Sequence, residues 1–225
     1  MLTAFDRIFI DVPSLLDAVA EYSLLLGPAT GETAAAARWR LANVTVELRE
    51  VAGLGAPRIH GLSLLDDSLP AGAMIPVAED TREIVLYRSG PNSTDQGSAV
   101  SGLLTAVDHL VLQSGDADDC IRLFRDKLGL RLALDQEVPE WGGRMLFFRF
   151  GKMTLEVIHN LTEPPKEDFF WGITYLCKDI DQTIAALDER AVAHSPIRAG
   201  RKPGTRVATV KSHCLKLPTL LVSPE

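Results

Sequence analysis

The fold is decided by residues 107–112, VDHLVL, because the same pattern occurs near the start of the chain. A shift of 102 positions aligns residues 6–10, DRIFI, with residues 108–112, and it aligns Leu26-Gly27 with Leu128-Gly129 without a gap. Both copies predict a strand, a loop, a helix and a glycine stop, from β-branched content, apolar residues spaced three or four apart and a glycine after the last turn. The chain therefore contains an internal repeat.

A second alignment extends the repeat to a final strand. A shift of 109 positions aligns Arg40 with Arg149, Thr45 with Thr154 and Glu47 with Glu156. The later copy thus carries seven extra residues between its helix and its last strand. Because loops tolerate insertions better than strands do, we place these extra residues in a loop.

Two further copies are weaker. Offsets of 63 and 65 relate residues 172–175 and 219–222 to the first and last strands of the preceding copy. Residues 59–87 predict two strands around a middle rich in Pro, Gly and Ala, which leaves no room for a helix. The sequence therefore predicts an α+β fold of tandem βαβββ modules, paired into curled mixed sheets that form a cleft, with the second module truncated.

Three segments follow from this repeat. We expect a degenerate N-terminal domain over residues 1–88 and a complete C-terminal domain over residues 103–225. Residues 89–102 between them are rich in Ser, Gly and Asn and predict a linker.

Length and composition are those of an ordinary globular protein, with 225 residues, 46% of them hydrophobic, and a net charge of -7. No run approaches the ~18 apolar residues of a membrane span, and Asp6 and Arg7 interrupt any N-terminal signal, so we expect a cytoplasmic protein that does not contact membranes. Cys120, Cys177 and Cys214 are widely spaced and form no C-x-x-C pattern. They predict buried thiols, not a disulfide framework or a zinc knuckle.

Basic residues dominate the C-terminal part of the chain. From Arg190 to Pro224 there are seven basic residues and no acidic one, a charge distribution that attracts an anionic ligand. The tract lacks the aromatic residues that base stacking uses, so nucleic acid is not the expected partner. Arg201 and Lys202, in the loop GRKPGT, are candidate substrate-binding residues. A solvated hairpin turn is the competing interpretation, since the loop lacks the spacing of a phosphate loop.

Four such modules, paired two and two, resemble the vicinal-oxygen-chelate superfamily of glyoxalases, bleomycin-resistance proteins and extradiol dioxygenases. The resemblance rests on residues 107–112, on KLGL at 127–130 and on MTLEVI at 153–158, and it is strongest over residues 103–225. It implies a cleft in each module pair, where a His on a first strand and a Glu on a last strand hold a divalent metal ion. It implies the fold more firmly than the reaction, because one scaffold hosts many functions.

Residue by residue, the resemblance places the metal positions of the third module at His109 and Glu156. The paired module has Gly172 and Leu221 at those positions, and neither residue binds metal. Two interpretations stay open: a divalent ion such as Zn, Mn, Fe or Ni, or a metal-free His–Glu hydrogen bond. A metal would need a third ligand from His60, from another module or from a neighbouring subunit.

The first module departs from the family pattern in one position. Its His position is occupied by Arg7, although Glu47 keeps the Glu position. We favour an ion pair between Arg7 and Glu47, which would prevent this cleft from binding a metal ion. The alternative is that Arg7 binds a substrate carboxylate.

Two functions remain open from the sequence. The first is a glyoxalase- or dioxygenase-like enzyme, a lyase, isomerase or dioxygenase, that acts on a small, largely apolar molecule with carbonyl, enol or carboxylate oxygens and uses Glu156 as its catalytic base. The second is a non-catalytic small-molecule binder of the bleomycin-resistance type. Retention of His109 and Glu156 favours the enzyme, whereas Gly172 and Leu221 favour the binder. We expect a small-molecule partner, and we allow for a homodimer.

Overall fold

The computed structural model describes residues 1–77, 84–91 and 102–225 of the chain. Within these residues, fifteen strands join into one mixed sheet, and the helices lie on one face of it. The predicted α+β fold of βαβββ modules is confirmed. None of the helices in the described ranges combines the length and the apolar character that crossing a membrane requires.

The first module has the predicted order of one strand, one helix and three strands. Its elements are β1 (Leu2–Val12), α1 (Leu15–Leu26), β2 (Gly31–Glu32), β3 (Ala36–Arg40) and β4 (Thr45–Glu50). The hydroxyl of Ser14 accepts a hydrogen bond from the backbone N–H of Asp17 and so caps the start of α1. The helix ends at Gly27, whose φ of 82° suits glycine, and the predicted glycine stop is confirmed.

The second module consists of strands and turns in its described part. Its strands are β5 (Arg58–Asp66), β6 (Met74–Pro76) and β7 (Val85–Ser89). The prediction that this module is truncated depends in part on residues 78–83, and the predicted linker lies mainly in residues 92–101. Both segments lie outside the described residues. Ser89, where the linker was expected to begin, is the last residue of β7.

The third module repeats the order of the first. Its elements are β8 (Leu104–Gln113), α2 (Ala117–Cys120) with a π-helical continuation (Ile121–Lys127), β9 (Arg131–Val138), β10 (Gly143–Phe150) and β11 (Met153–Asn160). The side chain of Asp116 accepts from the backbone N–H of Asp119 at 3.0 Å and caps α2. Gly129, with a φ of 75°, follows the π-helical continuation at the predicted stop.

The fourth module closes the C-terminal half. Its elements are β12 (Phe169–Cys177), α3 (Ile180–Glu189), β13 (Arg198–Ala199), β14 (Thr205–Val210) and β15 (Thr219–Pro224). The carboxylate of Asp179 accepts from the backbone N–H of Gln182 and caps α3 in the same way as Asp116 caps α2.

The four modules are assembled in the same way in both halves. In each module the first strand pairs in parallel with the last, as β1 does with β4 and β8 with β11. The two first strands of a half then pair antiparallel, β1 with β5 and β8 with β12. The halves meet where Phe170 of β12 pairs with Ile59 of β5.

Buried polar contacts also join the halves. The hydroxyls of Tyr22 on α1 and Tyr175 on β12 lie 2.6 Å apart, and both side chains are fully buried. Asn43 donates to the carbonyl oxygen of Val107 at 2.7 Å and accepts from the Val107 N–H at 3.0 Å. Because these bonds satisfy polar groups away from water, separation of the halves would expose them at a cost.

The core lies between the sheet and its helices. Along β11, Leu155 and Val157 are fully buried in this core, whereas Glu156 between them points to the other side. We call the sheet surface opposite the helices the open face. The three cysteines are buried and free, as predicted.

Candidate functional site

Three strands bring His109, Glu156 and Thr174 together on the open face of the C-terminal half. On β8, His109 is flanked by Thr154 of β11 on one side and by Thr174 of β12 on the other. Glu156 lies two residues beyond Thr154 and therefore on the same face. We call the open face around these residues the C-terminal cleft.

His109 is held at both ring nitrogens. Its Nδ1 lies 2.8 Å from Oδ2 of Asp108, and its Nε2 lies 2.8 Å from Oγ1 of Thr174. The same Nε2 lies 3.3 Å from Oε2 of Glu156. The side chains of His109 and Glu156 are 21% and 15% exposed, so a small molecule in the cleft would reach both.

The hydrogen bonds determine which nitrogen of His109 carries the proton. The bond from His109, helped by the charges of Lys202 and Arg149, holds the pKa of Asp108 below its usual value. An ionised carboxylate only accepts, so Nδ1 is the donor. In the neutral ring, Nε2 then offers its lone pair, and the hydroxyl of Thr174 donates to it.

Glu156 has the opposite perturbation. Burial raises its pKa, and the nearby charges of His109 and Arg201 offset this rise only in part. An ionised Glu156 beside a neutral Nε2 would place two acceptors 3.3 Å apart. This arrangement is favourable only when a proton or a cation lies between them. The pair is therefore built to hold one or the other.

The pair fits a divalent ion as two of its ligands, with the remaining positions left to water or substrate oxygens. Within the described ranges, no group of three or more His, Cys, Asp and Glu side chains is placed to hold a metal. His60, considered above as a third ligand, instead places its Nδ1 3.1 Å from Oδ2 of Asp11 in the N-terminal half. Asp11 is nearly fully buried, so this contact satisfies its carboxylate.

The paired module offers no room for a ligand side chain at its first-strand position. A Cβ on Gly172 would lie 2.6 Å from the carbonyl oxygen of Pro218, well inside van der Waals contact. Gly61, at the corresponding position of the N-terminal half, would meet the carbonyl oxygen of Val85 at the same distance. A histidine at either position would require the backbone to move.

The sequence analysis placed Leu221 at the last-strand position of the fourth module, and this prediction was wrong by one residue. The ladder pairs Thr174 with Leu220, which corresponds to the pairing of Val111 with Glu156 in the third module. Leu221 is fully buried in the core, on the face away from the cleft. A one-residue slip exchanges the two faces of a strand, so Leu220 replaces Leu221 at this position. Neither leucine binds metal.

Arg201 and Lys202 lie in the hairpin turn between β13 and β14, and both are exposed. The N–H of Gly200 donates to the carbonyl oxygen of Thr205 at 2.7 Å and closes this turn. The charge of Arg201 lowers the pKa of Glu156 against the effect of burial, and that of Lys202 lowers the pKa of Asp108. Their field therefore reaches the cleft, while their role as substrate-binding residues stays a prediction.

The corresponding cleft of the N-terminal half is occupied by an ion pair, as predicted. Nη1 of Arg7 lies 2.9 Å from Oε2 of Glu47, and the two residues are 6% and 5% exposed. A second guanidinium, from Arg38, donates to the same oxygen at 2.6 Å. The sequence analysis missed Arg38, although its position two residues before Arg40 puts it on the same face of β3.

Apolar side chains line part of the C-terminal cleft. Phe147 pairs with Glu156 across the ladder, and Met145 pairs with Ile158. The same 109-residue shift that relates the copies places Arg38 on Phe147 and Arg49 on Ile158. The N-terminal open face is thus ionic where the C-terminal cleft is apolar.

Comparisons with known proteins agree with this fold. Residues 108–209 match the family model of the Glyoxalase/Bleomycin resistance protein/Dioxygenase superfamily. A triple mutant of 4-hydroxymandelate synthase from Streptomyces coelicolor is similar in structure, with a TM-score of 0.72 and 14% identity, over 100% of this chain and 93% of that chain. Methylmalonyl-CoA epimerase from Mycobacterium tuberculosis is 18% identical over 57% of this chain and 93% of that chain, with a TM-score of 0.48. Among curated proteins, no significant match to the sequence is found.

Proposed function

Since residues 108–209 match the family model of the Glyoxalase/Bleomycin resistance protein/Dioxygenase superfamily, we propose that the C-terminal cleft is the active site of an enzyme that moves a proton on a small, largely apolar substrate. The substrate carries carbonyl, enol or carboxylate oxygens. The observation that carries the proposal is the approach of Nε2 of His109 to Oε2 of Glu156, a buried carboxylate of raised pKa, at 3.3 Å. Perturbed carboxylates in clefts are typical of catalytic sites.

Glu156 acts as the general base. It takes a proton from the carbon next to a substrate carbonyl, and the electron pair of the broken C–H bond moves onto the carbonyl oxygen to give an enolate. A raised pKa makes Glu156 a stronger base than an exposed carboxylate. Catalytic bases work best when their pKa approaches the working pH, so the rise favours this role. Delivery of a proton to the opposite face of the same carbon completes an epimerisation, whereas return to the original face regenerates the substrate and gives proton exchange only.

His109 and its partners prepare Glu156 for this step. Once Glu156 is protonated, it donates a hydrogen bond to the lone pair of Nε2 in place of the Thr174 hydroxyl, so the product of proton transfer is stabilised. Asp108 keeps the proton on Nδ1 and fixes the ring, and therefore acts as a positioning residue. A divalent ion held by His109 and Glu156 would polarise vicinal substrate oxygens as a Lewis acid. The positive field of Arg201 and Lys202 favours the developing oxyanion.

A non-catalytic binder is the second candidate. It is favoured by Gly172 and Leu220, because the fourth module contributes no polar side chain at the two positions where the family binds metal. In that case the apolar lining of the cleft, with Met145, Phe147 and Ile158, holds the ligand, and no proton is transferred.

Proton exchange in D₂O distinguishes the two candidates. 2-Oxo acids with apolar side chains, incubated with the protein, should lose the NMR signal of the protons at the carbon next to the carbonyl. Glu156→Gln should slow this exchange by about 10²–10⁴-fold, the usual contribution of a general base. Glu137→Gln, an exposed glutamate on β9, is the matched control and should leave the rate unchanged. Binding of these acids without exchange would support the binder and refute the enzyme.

A further inference from the structure

We propose that Phe169 and Trp171 form the apolar end of the C-terminal cleft and select an anionic substrate that carries an aromatic group. This inference rests on the proposed function and names its substrate class. Both residues stand at the beginning of β12, and their side chains are large, apolar and unusually accessible, with 46% and 45% of each residue exposed. Phe170 between them is buried in the core.

The pairing of β12 with β8 places both residues beside the cleft. Phe169 pairs with Gln113, and Gly172 pairs with Val111, so Trp171 is the extra residue of a β-bulge. Bulges change the direction of side chains at the edges of functional sites. Val111 and Gln113 lie two and four residues from His109, and an even spacing along a strand puts them on the same face as His109.

The N-terminal half shows where side chains at these two positions point. A shift of 111 residues, which aligns Gly61 with Gly172, places Arg58 on Phe169 and His60 on Trp171. The side chains of Arg58 and His60 both approach Oδ2 of Asp11, at 3.5 and 3.1 Å. Asp11 in turn accepts from Nη2 of Arg49, whose guanidinium lies over the ring of Phe9 on the open face. In this half, both positions therefore point toward the open face.

The C-terminal half has the same backbone and different side chains. Gln113 stands where Asp11 stands, at the pairing partner of Ile158 on β11. Phe169 and Trp171 flank Gln113 as Arg58 and His60 flank Asp11. The positions that carry ionic side chains in one half thus carry two exposed aromatic side chains in the other. Exposed aromatic side chains of this size are costly in water and mark binding surfaces.

The separation of the two ends defines the length of the ligand. Gln113 is four residues from His109, and at ~3.3 Å per residue this is about 13 Å along the strand. Val111 and Phe147 lie between the ends, and Ile158 and Met145 continue the apolar surface beside Gln113. The opposite end of the cleft is in the positive field of Arg201 and Lys202. A carboxylate joined to an aromatic ring by a short alkyl chain matches this distribution of charge and apolar surface.

A matched pair of ligands tests the inference. 5-Phenylpentanoate and pentanoate share a carboxylate and a chain, and they differ only in the ring. We expect calorimetric titration to show tighter binding of 5-phenylpentanoate to the wild type. Trp171→Ala should weaken that binding about tenfold, because the ring loses apolar contact area, and should leave pentanoate unchanged. The double variant with Phe169→Ala should bring the two affinities close together.

The control is Leu16→Ala, which truncates a residue that is 81% exposed on α1 of the N-terminal half and should not change either affinity. Because all three side chains are exposed, the variants should keep the circular dichroism of the wild type. An unchanged affinity ratio in Trp171→Ala would overturn the inference. If the affinity ratio is unchanged and Trp171→Ala also converts a dimer to a monomer in gel filtration, the inference is overturned too. Phe169 and Trp171 would then form an interface between two copies of the chain.

The proposed function and this inference fail separately. Glu156→Gln should slow proton exchange by about 10²–10⁴-fold and keep the preference for 5-phenylpentanoate, since it removes the base and not the aromatic end. If the wild type shows the preference and never exchanges protons, the inference stands and the catalytic proposal falls. If it exchanges protons and Trp171→Ala has no effect on ligand choice, the reverse holds.

Discussion

Arg7 and His109 occupy the same position in the two halves of the sheet, each on a first strand and each paired with a threonine of the last strand, Thr45 and Thr154. A permanent cation at one position holds Glu47 in a buried ion pair. An imidazole stands at the other position, where burial raises the pKa of Glu156. The exchange of Arg7 for His109 is thus one of several differences between an ionic cleft and a more apolar one.

Removal of Arg7 should destabilise the protein. Arg7→Ala leaves Glu47 with Arg38 alone, so we expect the free energy of unfolding to fall by about 3 kcal/mol in urea titrations. Arg122→Ala, which removes an exposed partner of Asp119 on the π-helical segment, should cost less than about 1 kcal/mol. Equal losses in the two variants would contradict a structural role for the buried ion pair.

Neutralising Glu156 should stabilise the fold at neutral pH. A raised pKa means that the folded state holds the proton more tightly than the unfolded state, so wild-type stability is lost as the pH rises through the raised pKa. The Glu156→Gln variant has no carboxyl group at this position, so its stability does not fall with pH for this reason. Its melting temperature should match that of the wild type below pH ~4 and exceed it increasingly above. Glu137→Gln should follow the wild type at every pH, and a lower melting temperature of Glu156→Gln at pH 7 would refute the argument.

A divalent ion should bind through His109. Zn, Mn, Fe(II) or Ni ions added one at a time should raise the melting temperature of the wild type, because a ligand that binds only the folded state stabilises it. His109→Ala should abolish this rise, whereas His194→Ala, on the far side of α3, should keep it. An equal response of wild type and His109→Ala would leave the proton as the sole occupant of the pair.

Salt should weaken the binding of carboxylated ligands. If Arg201 and Lys202 attract the anion, the affinity for 5-phenylpentanoate should fall as NaCl rises from 0.01 to about 0.15 M, a range over which the Debye length drops to about 8 Å. Arg201→Ala should weaken binding and flatten this dependence. Salt-independent binding would identify the hairpin as a solvated turn.

A methyl group at Gly172 should be costly. Gly172→Ala places a Cβ 2.6 Å from the carbonyl oxygen of Pro218, so we expect a loss of about 1–3 kcal/mol in the free energy of unfolding. Gly31→Ala is the control, because a Cβ there has no neighbour within 4 Å. A tolerated Gly172→Ala would show that the fourth module can accept a side chain at the ligand position.

The sequence predicted those parts of the fold that depend on regular alternation. The shifts of 102 and 109 residues correctly aligned Arg7 with His109 and Glu47 with Glu156, because strands that pair in register keep their two faces. Irregular backbone was harder to predict. The position of Leu220 was missed by one residue, since the chain from β14 to β15 is too irregular to carry a constant offset.

Contacts between strands distant in the sequence were also out of reach. The bond from Thr174 to His109, which are 65 positions apart, depends on the antiparallel pairing of β8 with β12. The aromatic pair escaped notice for a related reason. A bulge at Trp171 breaks the alternation by which a sequence reveals its exposed face.

The two glycines at corresponding positions of the halves determine how closely neighbouring backbones approach each other. Gly61 and Gly172 each let a neighbouring carbonyl oxygen fill the space that a side chain would take, at the same 2.6 Å approach. The spacing of the strands beside each cleft therefore depends on the absence of a single carbon atom. A variant that restores a side chain at either position has to move a strand before it can change the cleft.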